Sequence, residues 1–131
     1  MSDTASAELA AVLAALAGVR RGDAVAVTGG VVASPENAAA GPVVDRLLRA
    51  VLRAGCARDL VEVPPADVVV AVAAYDVPVA IGLLRPGGRL VALAADNGAA
   101  GRTATAHGLQ LRHLEPVLGR VAWSALLPAA G

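Results

Sequence analysis

The chain has 131 residues, which is enough for one compact domain and too few for two of ordinary size. Hydrophobic residues make up 56% of it and charged residues 17%, which excludes a disordered chain. Eleven basic residues, all of them arginine, balance eleven acidic residues, so no net positive field favours binding to nucleic acid or to an anionic membrane. We therefore expect a single domain over residues 1–131 with neither of these partners.

The cysteine content and the N-terminus bear on the compartment. Cys56 is the single cysteine, which excludes an internal disulfide and a thiolate zinc cluster and fits a reducing compartment. No run of about eighteen apolar residues is present. Asp3 and Glu8 stand where a signal peptide would carry positive charge. We expect a cytoplasmic protein that neither spans a membrane nor is exported.

The first half of the chain predicts alternating helices and strands. From Asp3 to Gly18, apolar residues recur at helical spacing in an alanine-rich background, which predicts an amphipathic helix that ends at the glycine. Ala24–Thr28 is short and β-branched and predicts a buried strand. A second helix is expected from Pro42 to Gly55, followed by a short strand at Arg58–Val63. The valine run in Ala66–Val72 predicts a central strand that is covered on both faces.

The alternation continues in the second half. Tyr75 to Leu84 predicts a loop and a short helix, Arg85–Gly88 a tight turn, and Arg89–Ala94 another apolar strand. The stretch from Asn97 to Gly108 has weak helical character. Two alternating segments then flank Gly119 and predict a terminal hairpin.

Short strands separated by helical segments imply right-handed crossovers and a mainly parallel sheet. The sequence therefore predicts an α/β fold of the three-layer, Rossmann-like kind, with helices on both faces and a C-terminal antiparallel hairpin.

Three segments carry a resemblance to a known family. The phrase LLRPGGRLVAL, residues 83–93, is similar to the one before the fifth strand of class I S-adenosylmethionine-dependent methyltransferases. The closing GLQLRHLEPVLGRVAWSALLP resembles the last two strands of that family, and the opening GVRRGDAVAVTGG resembles its first strand. Zinc-type alcohol dehydrogenases and their reductase relatives share the proline-diglycine phrase. The hairpin favours the methyltransferase resemblance.

The chain departs from the family pattern in two places. The family's first loop carries a pattern close to G-x-G-x-G, whereas Gly29 and Gly30 are followed here by Val31 and Val32, so the glycine motif is degenerate. Only four residues separate Glu62 from Asp67, which leaves no sequence for a helix and strand of the family. We expect a truncated sheet that lacks one outer strand.

The resemblance implies where a cofactor and a substrate would be held. Thr28, Gly29 and Gly30 would approach S-adenosylmethionine, and Glu62 would accept hydrogen bonds from its ribose. Tyr75 and Asp76 follow the most buried strand and are weak candidates for catalytic or substrate-contacting residues. Each of these positions also has a structural interpretation, as a strand-ending turn, a solvated edge residue or a cap of the core. Carboxyl ends of parallel strands are the usual ligand-binding edge, which adds further positions: Ala73, Ala74, Asp96 and Asn97.

Other polar residues predict no site. His107 and His113 have no carboxylate or thiol at ligand spacing, so we expect no bound metal. The hydroxyl residues lack the G-x-S-x-G elbow of a hydrolase. Arg85 and Arg89 flank the turn at the amino end of a strand, where we expect them to be solvated.

Two functional hypotheses follow. In the first, the domain is degenerate and acts as a homo-oligomeric assembly or regulatory protein, with the exposed edge at Arg58–Val63 favouring a homodimer. In the alternative, it is a methyltransferase that uses S-adenosylmethionine on a small molecule. Only ten residues separate Val72 from Leu83, so a second subunit would complete the substrate pocket. The sequence names no substrate.

Overall fold

The computed structural model describes residues 3–18, 23–28, 66–71 and 77–129. The expected helix from Pro42 to Gly55, the strand at Arg58–Val63 and the stretch expected to lack an outer strand lie outside these residues. None of the described helices is long and apolar enough to cross a membrane. The described elements are α1 (Asp3–Ala17), β1 (Val25–Thr28), β2 (Ala66–Ala71), α2 (Val77–Leu83), β3 (Leu84–Ala94), α3 (Asn97–Ala106), β4 (Gln110–Val117) and β5 (Arg120–Leu126).

The described strands form one open sheet in the order β1-β2-β3-β5-β4. β1, β2 and β3 are parallel, and β5 is antiparallel to both of its neighbours, β3 and β4. Four strands therefore run in one direction and β5 in the other. This arrangement confirms the expected mainly parallel sheet with its C-terminal antiparallel hairpin.

Helices cover both faces of the sheet and give it three layers. Leu9 and Leu13 of α1 are buried against one face, as the helical spacing predicts, and Gly18 ends the helix at φ +55°. On that face they pack with apolar residues of β1, β2, β3, β4 and β5. The opposite face, covered by α2 and α3, packs around these residues: Val69, Val77, Ala80, Leu84, Leu90, Ala100, Ala104, Leu109 and Trp123.

The proline-diglycine segment differs from its prediction. Instead of preceding the strand as a separate turn, it forms an irregularity within β3, which begins at Leu84. The register with β2 shifts there, and Gly87 takes φ +80°. Leu127 holds the segment in the sheet, because its carbonyl oxygen accepts the Gly87 N–H at 2.6 Å and its own N–H donates to Gly88 O at 2.9 Å. Pairing with a residue beyond β5 was not visible in the local sequence.

The terminal hairpin agrees with its prediction. Val117 pairs with Arg120, so Leu118 and Gly119 form a two-residue loop. Both loop residues have positive φ, 48° and 74°, which is the type I′ geometry that matches the twist of the flanking strands. Further along β4 the register shifts between Leu111 and His113, and this bulge inserts Arg112 as an extra residue.

Candidate functional site

The carboxyl ends of the parallel strands form the candidate ligand edge. Thr28, the last residue of β1, pairs with Ala71, the last residue of β2, and Ala71 pairs with Ala92 of β3. Ala71 and Ala92 are fully buried, and β3 continues two residues further to Ala94. The small side chains of Ala71 and Ala92 therefore lie in the sheet close to the carboxyl ends of β1 and β2. Ligands of open α/β sheets bind at such edges.

Of the predicted cofactor-binding and catalytic residues, only Thr28 lies within the described part of the chain. Thr28 lies at the end of β1, as expected. Gly29, Gly30, Glu62, Tyr75 and Asp76 lie outside the described residues, and so do Ala73 and Ala74.

Asp96 and Asn97 lie just after β3, and both are exposed. The Asp96 carboxylate accepts the Ala99 N–H at 2.7 Å, and its carbonyl oxygen accepts the Ala100 N–H at 3.2 Å. Asp96 is thus the N-cap of α3, and its side chain stabilises the start of that helix. An aspartate before an alanine-rich segment is a sequence signal for this role.

At the opposite, amino edge, Arg85 is exposed, as expected, whereas the half-buried Arg89 departs from the prediction of a solvated side chain. Arg85 forms an ion pair with Asp67 through its Nε, and Asp67 also accepts the Ala24 N–H at 2.8 Å. Arg89 donates from Nη1 to the carbonyl oxygen of Ala17 at 2.8 Å. Each arginine therefore links β3 to another element. These contacts join residues far apart in the sequence, so no local pattern predicts them.

The histidines provide no metal centre within the described ranges. His107 and His113 are both exposed. No group of three or more His, Cys, Asp or Glu side chains suited to a metal ion occurs among residues 3–18, 23–28, 66–71 and 77–129.

Trp123 lies at the level of the candidate edge. It pairs with Ala92 on one side and with Leu114 on the other, so it continues the row that begins at Thr28 and Ala71. Its side chain is fully buried, and its Nε1 has no hydrogen-bond acceptor within the described part of the chain. The sequence analysis included this residue only as part of the terminal hairpin and did not predict its central position.

Comparison with known proteins identifies solved structures with a similar fold. No protein-family model matches the chain, and no curated protein matches its sequence. Among solved structures, a SAM-dependent O-methyltransferase from Thermotoga maritima superposes with a TM-score of 0.59 at 13% identity. The match covers 93% of this chain and 65% of that one, so the chain spans about two thirds of that enzyme's length.

Two further structures cover more of their own chains. One belongs to the complex between the Haloferax volcanii Trm112 methyltransferase activator and the putative methyltransferase, with a TM-score of 0.61, 12% identity and coverage of 98% of this chain and 92% of that one. The other is an RNA methyltransferase from Salinibacter ruber in complex with S-adenosyl-L-homocysteine, with a TM-score of 0.50, 16% identity and coverage of 94% and 92%.

Identities this low establish architecture, and the architecture agrees with the resemblance seen in the sequence. The matches cover most of the chain. Its described part has the parallel strands β1, β2 and β3, the reversed β5 and helices on both faces. The chain therefore has the Rossmann-like α/β fold of class I S-adenosylmethionine-dependent methyltransferases.

Proposed function

We propose that the chain is a methyltransferase-type domain that binds S-adenosylmethionine at the carboxyl edge of its sheet. The observation that carries this proposal is the alignment of Thr28 with Ala71 at the ends of two adjacent parallel strands. Ala71 and Ala92, which are buried at this level, have small side chains. Cofactor chemistry is supported further by a fold neighbour that is complexed with S-adenosyl-L-homocysteine.

The residues proposed to hold the cofactor suit its chemical groups. Gly29 and Gly30 directly follow β1, and their missing side chains would let the backbone N–H groups approach the methionine part. The Thr28 hydroxyl can donate and accept, and the Glu62 carboxylate can accept from both ribose hydroxyls. When bound, the cofactor supplies a methyl group on a sulfonium, which is already a good leaving group.

Holding the substrate nucleophile in line is then the main task left to the protein. Tyr75 and Asp76 follow β2 in the sequence, and we assign them to this positioning role. The substrate is a small molecule in this proposal, and a second chain completes its pocket. The single Cys56 favours the cytoplasm as the location.

Calorimetric titration of the full chain with S-adenosylmethionine and with S-adenosyl-L-homocysteine tests the proposal. We expect binding in the micromolar range, and a loss of at least about tenfold in Glu62→Ala because hydrogen bonds to a charged group contribute about 1.5–3 kcal/mol. Glu115→Ala is the matched control, since Glu115 is exposed on β4. No binding of either molecule at millimolar concentration would refute the proposal.

A second candidate function, homo-oligomeric assembly, is favoured by the edge strand β4. Leu111 and Leu114 pair with Ala125 and Trp123, which places both leucines on the face covered by α2 and α3. Each is 37% exposed, so β4, the outermost described strand, carries two partly exposed apolar side chains on this face. A second copy of the chain would cover these side chains. The expected pairing at Arg58–Val63 stays a prediction.

Light scattering at low concentration tests the assembly. A mass near twice 12.9 kDa would support it, and Leu114→Glu should then return the mass to that of one chain. A single-chain mass for the unmodified protein would contradict it. Calorimetry of the Leu114→Glu variant with S-adenosylmethionine shows whether cofactor binding depends on assembly.

A further inference from the structure

A groove of about 440 Å³ lies on the α1 face of the sheet, away from the carboxyl edge. Its apolar wall consists of Ala15, Leu16 and Leu126, and its polar lining of Arg89, Arg112, His113 and Ser124. The volume falls within the range of small-molecule sites.

Strand register explains why the polar side chains meet. Ser124 of β5 pairs with His113 of β4, and Arg89 of β3 pairs with Leu126, two residues along β5 from Ser124. Because alternate residues share a face, Arg89, Ser124 and His113 project to the same side of the sheet. The β4 bulge adds Arg112, which also lines this side.

The lining is cationic and rich in donors. Two guanidinium groups, an imidazole and a hydroxyl line it, and none of the lining residues in the described part of the chain is acidic. Along β4 the next acidic residue, Glu115, pairs with Ala122 outside the lining. Guanidinium groups bind carboxylates and phosphates through parallel N–H donors.

One of the two guanidinium groups is already fixed in position. Arg89 donates from Nη1 to the carbonyl oxygen of Ala17, which uses one of its five N–H groups and holds the side chain half-buried in the groove wall. Arg112 is exposed and contacts the Gln110 side chain through Nη2 at 3.2 Å. A ligand would therefore meet one preorganised arginine and one that can close over it.

We propose that this groove binds a small organic oxyanion, a carboxylate or a phosphate monoester with a short apolar body. The arginines, His113 and Ser124 hold the oxyanion, and the apolar body lies against Leu16 and Leu126. The inference does not rest on the proposed cofactor site, because the groove lies on the α1 face, whereas Ala71 and Ala92 face α2 and α3.

Titration of the full ¹⁵N-labelled chain with hexanoate, hexyl phosphate and hexylamine tests this proposal. We expect at least one of the two anions to bind with a dissociation constant at or below a few millimolar, to shift the amide signals of Ser124 and His113, and to weaken as salt is raised. Hexylamine should not shift them. The anion that binds more tightly shows whether the groove prefers a carboxylate or a phosphate monoester.

Variants distinguish anion binding in this groove from non-specific attraction between opposite charges. Arg112→Gln should weaken the anion at least about fivefold, and Ser124→Ala should weaken it with little change in side-chain volume. Arg102→Gln, at an exposed arginine of α3 on the opposite face, should leave the affinity unchanged. The proposal is overturned if neither anion binds, or if Arg112→Gln and Arg102→Gln bind as tightly as the unmodified chain.

Discussion

The guanidinium of Arg89 caps the last turn of α1 by donating to the carbonyl oxygen of Ala17, 72 positions earlier in the chain. The carbonyl groups at the end of a helix lack partners within the helix and carry a partial negative charge. Gly18 makes the approach feasible, because a Cβ at this position would lie 2.6 Å from Arg89 Nη1. One arginine thus links the end of α1 to β3, the central strand of the described sheet.

Replacing this arginine should loosen α1. We expect Arg89→Gln to lower the free energy of unfolding by about 1–2 kcal/mol, because a charged hydrogen bond and a favourable helix-end charge are lost together. Gly18→Ala should also destabilise, and less so in the Arg89→Gln background, where the crowded Nη1 is absent. Urea unfolding followed by circular dichroism measures both. Additive effects in the double variant would contradict the contact.

Asp67 should matter more for stability than its ion-pair partner. It accepts the N–H of the fully buried Ala24, so Asp67→Ala leaves that donor without this acceptor, at an expected cost of about 1–3 kcal/mol. Arg85 is 46% exposed, and Arg85→Ala should cost less than about 1 kcal/mol because water screens the pair. Chemical denaturation of both variants gives the comparison. Equal losses would show that the ion pair is the main contribution of Asp67.

The hairpin loop contains a residue that is poorly suited to its backbone. Leu118 has φ 48° and is half exposed, whereas type I′ turns prefer Asn or Asp at this position. Leu118→Asn should therefore raise stability by about 0.5–1 kcal/mol. Gly119→Ala, at φ 74°, should lower it. Thermal unfolding of the two variants should give shifts of opposite sign, and a loss of stability in Leu118→Asn would mean that this leucine contributes packing.

Two glycines should respond to alanine in opposite ways. A Cβ on Gly88 would lie 2.7 Å from Leu84 Cδ1 and 2.9 Å from the backbone oxygen of Arg85, so Gly88→Ala should destabilise by about 1–3 kcal/mol. Gly101, within α3, has no atom within 4 Å of such a Cβ. Gly101→Ala should stabilise by about 0.5–1 kcal/mol through helix propensity alone. Calorimetric melting temperatures test the pair, and a neutral Gly88→Ala would show that Leu84 can move aside.

Local patterns in the sequence were sufficient for most of the elements. The helical spacing of Leu9 and Leu13 predicted α1, and the valines of β2 predicted a strand buried on both faces. Gly119 between two alternating segments predicted the hairpin. These signals depend on neighbours in the chain, which is why the sequence alone carries them.

The tertiary roles of polar residues were less accessible. The contact between Arg89 and Ala17 exists because α1 packs across β3, and no pattern near Arg89 indicates it. The α1-face groove depends on a β4 bulge that shifts Arg112 into line with His113, a one-residue irregularity that alternation does not reveal. The ligand edge at the strand ends stays a prediction, and Asp96, which sequence analysis placed at that edge, uses its carboxylate to cap the start of α3.

The position of β5 has a consequence for how the chain is made. β5 is the last described strand in the sequence, yet it lies between β3 and β4 and hydrogen-bonds to both. Until residues 120–126 have left the ribosome, β4 has no neighbour among the described strands and β3 has an open side. The described sheet therefore closes only after residues 120–126 have been synthesised, and truncation within this strand would remove the partner of β4 among the described strands.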